Sequence, residues 1–146
     1  MVEKSANAVW NGTLTEGSGS FTLSSSGVLT NSPVTWAART GEPDGKASPE
    51  ELIAAAHAAC YAMAFSHSLQ NAGTPADTLD VTATVGFGPN PAGGMKVTHS
   101  HLTVKGVVAG LTAEQFTEAA IQGELGCPVS NALRGNVEIT VSATFA

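Results

Sequence analysis

The chain has few charged residues, and basic ones are especially scarce. Only 12% of its 146 residues are charged, and six Lys and Arg against twelve Asp and Glu give a net charge of −6. Binding to nucleic acid or to an anionic membrane requires a patch of basic side chains that contacts phosphates, so the composition argues against both partners. A surface this poor in charge also predicts that part of it is covered, and we expect a homo-oligomer.

Targeting signals are also missing from the sequence. Residues 1–5 lack the apolar segment of a secretory signal peptide. No uninterrupted apolar run reaches the roughly 18 residues that a membrane helix needs. We therefore expect a cytoplasmic protein with no membrane partner, and the length fits one domain over residues 1–146.

Cysteine is scarce as well, with two residues, Cys60 and Cys127. A reducing compartment makes a structural disulfide between them improbable. Their wide separation excludes a CxxC redox or zinc motif. Either they are unrelated buried thiols, or they meet in space and carry out redox chemistry.

The first half of the chain predicts short strands followed by a long helix. Residues 6–40 alternate in polarity and are rich in Thr, Ser and Gly, which is typical of antiparallel strands, and residues 38–46 resemble a loop. A capping box at residues 48–51, with Pro49 at the first helical position, begins a helix that runs to about Leu69. No charged residue occurs between Leu52 and Leu69, which predicts a central helix buried on all sides.

The second half predicts two strands, a helix and a final strand. Residues 79–87 and 95–107 read as strands, residues 112–125 as a helix with its own capping box, and residues 137–145 as the last strand. The order βββ-α-ββ-α-β predicts an α+β fold in which antiparallel sheet packs around the central helix.

Cys60 lies in the middle of the long helix, where burial raises the pKa of a thiol and the helix dipole has faded. As a nucleophile it would need a cation, and Arg39, just before the helix, is the best-placed candidate. Cys127 lies between Gly126 and Pro128, which suits either a mobile resolving cysteine or a buried cysteine in a turn. A plain core thiol remains the alternative for Cys60.

The histidines offer weaker candidates. His57 shares a helix face with Cys60 and is either a base or hydrogen-bond partner, or a structural interface residue. His67 is expected to be structural. His99 and His101 point to the same side of a strand, so a metal site with a cysteine is conceivable, but no carboxylate or cysteine lies near them in sequence.

Two segments of the sequence resemble the OsmC/Ohr family of hydroperoxide reductases. Residues 48–64, SPEELIAAAHAACYAMA, are similar to that family's signature helix, and residues 126–133, GCPVSNAL, are similar to its second cysteine motif. The histidine at position 57 and the loop of residues 39–41 resemble the OsmC branch, named for osmotic induction.

This resemblance implies an antioxidant thiol peroxidase that reduces organic hydroperoxides to alcohols without metal or cofactor. It implies that Cys60 is peroxidatic and Cys127 resolving, that Arg39 and Glu50 support the thiolate, and that a dithiol reductant reopens the Cys60–Cys127 disulfide. It also implies a homodimer.

The residues add three expectations to the resemblance. Because Glu51 belongs to the capping box, Glu50 is free to hold Arg39 in a bidentate contact. Glu50 lies about 15 Å along the helix from Cys60, so two helices crossing near Ala55 would bring them together in an intertwined homodimer. An apolar wall favours organic substrates; its expected members are Trp36, Leu52, Met63 and Phe65. The rival reading is a non-catalytic dimer that binds a small apolar ligand and has structural cysteines.

Overall fold

The computed structural model describes residues 1–146 and contains six strands and four helices. In chain order these are β1 (Asn7–Asn11), β2 (Ser18–Thr22), β3 (Ser32–Val34), α1 (Trp36–Thr40), α2 (Pro49–Asn71), β4 (Thr78–Pro89), β5 (Met95–Val107), α3 (Ala113–Leu125), α4 (Pro128–Leu133) and β6 (Glu138–Phe145). The chain divides into two compact units, Met1–Leu52 and Ile53–Ala146.

The first unit contains a three-stranded sheet in the order β1-β2-β3, with antiparallel pairing throughout, as predicted. Helix α1 follows it and was not predicted. It forms because the hydroxyl of Thr35 accepts a hydrogen bond from the N–H of Ala38 and so caps the helix start. Residues 38–40, expected to begin a loop, are therefore the end of this helix.

Helix α2 has the predicted boundaries. The hydroxyl of Ser48 accepts a hydrogen bond from the N–H of Glu51 at 3.2 Å, which is the expected cap contact. The helix ends at Asn71, and Gly73 then adopts a φ of 79°, a backbone conformation that glycine reaches without strain. The sequence signals for start and stop are therefore both confirmed.

The burial of α2 differs from the prediction. A stripe of side chains spaced four residues apart is buried, and it consists of His57, Tyr61, Phe65 and Leu69. The small and apolar residues on another face, including Ala55, Ala56, Ala59 and Met63, are exposed in the single chain. Burial on all sides was therefore wrong for one chain, because only one face packs on the core.

Helix α2 also bears on the expectation about membrane segments. It is the one helix in the structure long and apolar enough, by length and composition, to cross a membrane. Core helices of soluble proteins pass the same test, so this property alone is weak support for a membrane span. Polar residues such as His57 and Ser66 interrupt the helix, so it contains no uninterrupted apolar run of that length, and the absence of a membrane partner stays a prediction.

The second unit contains a three-stranded sheet in the order β4-β5-β6. Strand β4 pairs antiparallel with β5, but β6 pairs parallel with β5. The sheet is therefore mixed, whereas an antiparallel sheet was predicted. The reason lies in the connection, since α3 and α4 carry the chain from the end of β5 back to the opposite end of the sheet.

The buried stripe of α2 packs into the hydrophobic core of the second unit. Aromatic rings link three elements there, with centroid distances of 5.6 Å for Phe65–Phe116 and 5.5 Å for Phe116–Phe145. The hydroxyl of Tyr61 donates to the carbonyl of Ala120 on α3 at 2.8 Å, which satisfies its buried polar end. The α+β fold class predicted from the sequence is confirmed.

Gly106 on β5 gives a test of this packing. A Cβ at this position would lie 2.5 Å from Cζ of the fully buried Phe116, which has no room to move. We expect Gly106→Ala to lower the free energy of unfolding by about 1–3 kcal/mol, measured by urea denaturation. Gly88→Ala on β4 is the control, since its Cβ would meet only a methyl group of Thr98 at 3.3 Å. Equal losses in the two variants would contradict this packing.

Candidate active site

The structure brings the two cysteines together. Cys60 lies on α2 and Cys127 lies between α3 and α4, and both are free thiols. Cys60 packs against the core cluster that contains Cys127, and the two side chains are close enough for Cys127 to raise the pKa of Cys60. Cys127 is buried with 1% of its surface exposed, whereas Cys60 is only partly buried. Of the two readings left open by the sequence, the structure supports a pair that meets in space, and Cys60 is its accessible member.

The environment that the second unit supplies keeps the Cys60 thiol protonated. Burial raises the pKa of Cys60 above its ordinary value, and the neighbouring Cys127 raises it further. A hydrogen bond from the backbone N–H of Val129 acts in the opposite direction by favouring the thiolate. A reactive thiolate at neutral pH therefore needs an additional positive charge.

Hydrogen bonds hold Cys127 in place, although a mobile position was one of the two alternatives predicted from the sequence. Its backbone is extended (φ −84°, ψ 116°), as expected for a residue before proline, and it is the N-cap of α4. Its sulfur accepts a hydrogen bond from the N–H of Ser130 at 3.5 Å, and its own N–H donates to the carbonyl of Glu124 at 3.0 Å. The short helix α4 was not predicted, because a cysteine is a weak sequence signal for a helix start.

His57 forms a buried bridge between two serines. Its Nδ1 lies 2.7 Å from Oγ of Ser100 on β5, and its Nε2 lies 2.8 Å from Oγ of Ser130 on α4. All three residues have no exposed surface. Burial lowers the pKa of His57, with a smaller opposing effect from the Glu124 carboxylate, so the ring is neutral at pH 7.

The helix position of His57 predicted a hydrogen-bonding role for its ring, but neither serine partner was predicted. Two signals were available for them. Ser100 is a polar residue on the side of β5 that also carries the buried Leu102, and a polar side chain in a core position requires a partner. Ser130 follows Cys127 at the three-residue spacing of a cap contact.

Arg39 and Glu50 form the predicted bidentate contact within the first unit. Nη2 of Arg39 donates to Oε1 of Glu50 at 2.8 Å, and Nε donates to both carboxylate oxygens at 3.3 and 3.2 Å. The guanidinium carbon also lies 5.9 Å from the ring centroid of Trp36. Because Glu50 is 7% exposed, this pair holds the guanidinium in a fixed orientation.

An apolar cavity of about 270 Å³ lies beside this ion pair in the first unit. Its lining consists of Trp10, Leu14, Val34, Thr35, Trp36, Arg39 and Pro49. Of the apolar wall predicted from the sequence, Trp36 lines this cavity, whereas Phe65 is fully buried in the core of the second unit and Met63 is exposed. Phe65 was a wrong choice because its ring packs against Tyr61 and Phe116.

The histidines on β5 do not assemble a metal site. The rings of His99 and His101 stack with centroids 4.2 Å apart, and their Nδ1 atoms hydrogen-bond to Thr98 and Thr140. No group of three or more His, Cys, Asp or Glu side chains is placed to hold a metal ion. The alternative of a metal bound by these histidines and a cysteine therefore has no structural support.

Comparison with known proteins places this arrangement in a family. Residues 41–142 match the model of the OsmC-like protein family. The chain is 35% identical over 138 residues, 94% of each chain, to Peroxiredoxin OsmC of Escherichia coli.

Solved structures give the same result for the fold. An organic hydroperoxide resistance protein from Elizabethkingia anophelis superposes with a TM-score of 0.75 at 27% identity, covering 99% of each chain. OhrB of Bacillus subtilis superposes with a TM-score of 0.73 at 24% identity, covering 96% of this chain and 98% of that one.

The buried His57 predicts a stability loss in acid. Its pKa is lowered in the folded state, so below about pH 6.5 the unfolded state binds more protons and stability falls with pH. We expect the free energy of unfolding, measured by urea denaturation, to fall less between about pH 7.5 and about pH 5.5 in His57→Gln than in the unmodified protein. At neutral pH this variant should be about 1–3 kcal/mol less stable, because the serines lose their partner.

The control for this prediction is His67→Gln, which removes an exposed histidine of the same helix. It should retain the acid-dependent loss of the unmodified protein. An identical pH dependence in His57→Gln would show that His57 is not the group responsible.

Proposed function

Because this chain belongs to the OsmC-like protein family, we propose that it is a cysteine-based thiol peroxidase that reduces organic hydroperoxides to alcohols. One observation carries the proposal: the partly exposed Cys60 thiol lies next to a second, fully buried thiol, Cys127. An accessible sulfur can meet a substrate, and a protected neighbour can then trap the oxidised product. A pair of structural thiols has no need of this asymmetry.

The first step of the proposed reaction is attack on the peroxide. The Cys60 thiolate bonds to the distal oxygen of ROOH, the O–O bond breaks, and the alkoxide leaves and takes up a proton as ROH. We propose that the Arg39 guanidinium, oriented by Glu50, lowers the pKa of Cys60 and stabilises the negative charge on the departing oxygen. The elevated pKa of Cys60 within its own unit makes such a cation necessary.

The second step closes a disulfide. The sulfur of Cys127 attacks the sulfenic acid on Cys60, the S–O bond breaks, and water is released. A dithiol reductant then restores both thiols by exchange. The proposed location is the cytoplasm, where such reductants are maintained.

We propose further that the active form is a homodimer. The exposed face of α2 carries Ala55, Ala56 and Ala59 next to Met63, whose side chain is 68% exposed. Small residues let a second helix approach closely, and covering this apolar face would lower the free energy of the pair. In this arrangement Arg39 and Glu50 of one protomer stabilise the Cys60 thiolate of the other. Full peroxidase activity from a monomer in sedimentation experiments would contradict the dimer.

The cavity beside Arg39 supports an organic substrate. Its lining is apolar apart from Thr35 and the guanidinium, which suits an alkyl or aryl group attached to a polar peroxide end. The same cavity is the one observation that favours the rival function, a binding protein for a small apolar ligand.

The decisive experiment treats reduced protein with one equivalent of cumene hydroperoxide and measures its mass. The peroxidase proposal predicts the loss of two hydrogens, with peptide mapping to a single Cys60–Cys127 bridge. An unchanged protein mass with both thiols free, together with intact cumene hydroperoxide bound in the cavity, would support the rival function. Cys60→Ser serves as the control and should consume no peroxide.

The role of Arg39 gives a further prediction. In a Cys127→Ser background, Arg39→Gln should slow iodoacetamide alkylation of Cys60 on the order of a hundredfold at neutral pH, because the thiolate loses its cation. The matched control is Arg134→Gln. Arg134 forms the same kind of pair, 2.8 Å from a carboxylate oxygen of the buried Glu124, but has no proposed role at Cys60. Equal effects of the two substitutions on the alkylation rate would show that Arg39 does not act on Cys60.

A further inference from the structure

Ser130 lies at the junction of a buried hydrogen-bonded chain that the proposed reaction leaves unused. Its hydroxyl oxygen is 2.8 Å from Nε2 of His57, and its backbone N–H donates to the sulfur of Cys127 at 3.5 Å. The other ring nitrogen of His57 is 2.7 Å from Ser100 on β5. The chain therefore runs from the sheet, through α2, to the sulfur of Cys127.

This serine–histidine pair cannot act on an external substrate. Neither His57 nor Ser130 has any exposed surface, and both ring nitrogens already have hydroxyl partners. A fully satisfied buried network of this kind restricts the positions of the groups it joins. Its effect must therefore be sought in what it holds in place.

The network links the position of the Cys127 sulfur to the position of Cys60. His57 lies one helical turn before Cys60 on α2, so the two residues move together as parts of one rigid element. His57 fixes Ser130, and the N–H of Ser130 contacts the sulfur of Cys127. Small displacements of a reacting group slow a reaction strongly, so this link affects the rate at which the two sulfurs form a bond.

We propose that His57 is a positioning residue for disulfide formation and acts through Ser130 on the sulfur of Cys127. This inference rests on the proposed peroxidase function. In the step concerned, Cys127 loses its proton, its sulfur bonds to the sulfur of Cys60, and the hydroxide released from the sulfenic acid leaves as water. His57 neither donates nor accepts a proton; it keeps the attacking sulfur in place.

Two single-atom deletions separate positioning from general stabilisation. Ser130→Ala removes the hydroxyl that joins His57 to α4, and Ser100→Ala removes the other partner of the same ring. Each variant loses one buried hydrogen bond, so thermal unfolding should report similar losses of stability. Of the two hydroxyls, only that of Ser130 belongs to a residue that also contacts the sulfur of Cys127.

The measurement follows the two chemical steps separately after mixing with cumene hydroperoxide. We expect Ser130→Ala to consume peroxide at a rate within about twofold of the unmodified protein, but to form the disulfide ten- to a hundredfold more slowly. Dimedone should therefore trap more Cys60 sulfenic acid in this variant. Ser100→Ala should form the disulfide at the unmodified rate, and His57→Gln should behave as Ser130→Ala does.

Two results would overturn the proposal. One is disulfide formation at the unmodified rate in both Ser130→Ala and His57→Gln. The other is equal slowing in Ser130→Ala and Ser100→Ala, which would indicate a merely structural effect. If Ser130→Ala does not fold, the comparison of His57→Gln with Ser100→Ala decides.

Oxidation of the two thiols by diamide keeps this test independent of the peroxidase proposal. Slower disulfide formation in Ser130→Ala than in Ser100→Ala supports the positioning role of His57 even if the protein does not react with hydroperoxides. Equal rates of diamide oxidation in the two variants count against it.

Discussion

The candidate site depends on the packing of one face of α2 against the core of the second unit. The stripe that includes Tyr61 and Phe65 is buried because aromatic rings from α3 and β6 complete it. This packing fixes the rotation of the helix about its axis, and that rotation places Cys60 next to Cys127 while leaving Cys60 partly exposed. The juxtaposition of the two thiols is therefore a consequence of how an otherwise ordinary hydrophobic core is filled.

The same burial creates the electrostatic problem that the proposed chemistry must solve. A core that holds two thiols in contact also raises the pKa of the accessible one. The chain has only six basic residues, and Arg39 is one of the two that the structure pairs with a buried carboxylate. An ion pair with a buried Glu50 fixes the direction of a guanidinium, which a flexible surface lysine could not achieve.

Local signals in the sequence predicted much of the fold, and long-range packing explains the rest. The start and end of α2, the capping box at Thr112 and the Arg39–Glu50 contact follow from short-range spacing and charge, and all are present. The parallel pairing of β6 does not follow from its alternation, which is the same in either direction. The serines bound to His57 were missed because their partner lies 43 and 73 residues away.

The parallel pairing of β5 with β6 also has a consequence for how the chain acquires its structure. Paired residues such as His101 and Thr140 are 39 positions apart, so a long loop must close before any of these contacts forms. Strands β4 and β5 follow each other directly in the chain and can pair early, whereas β6 begins at Glu138, after α3 and α4. The part of the core that Phe145 completes therefore stays open until β6 has been synthesised and has paired with β5.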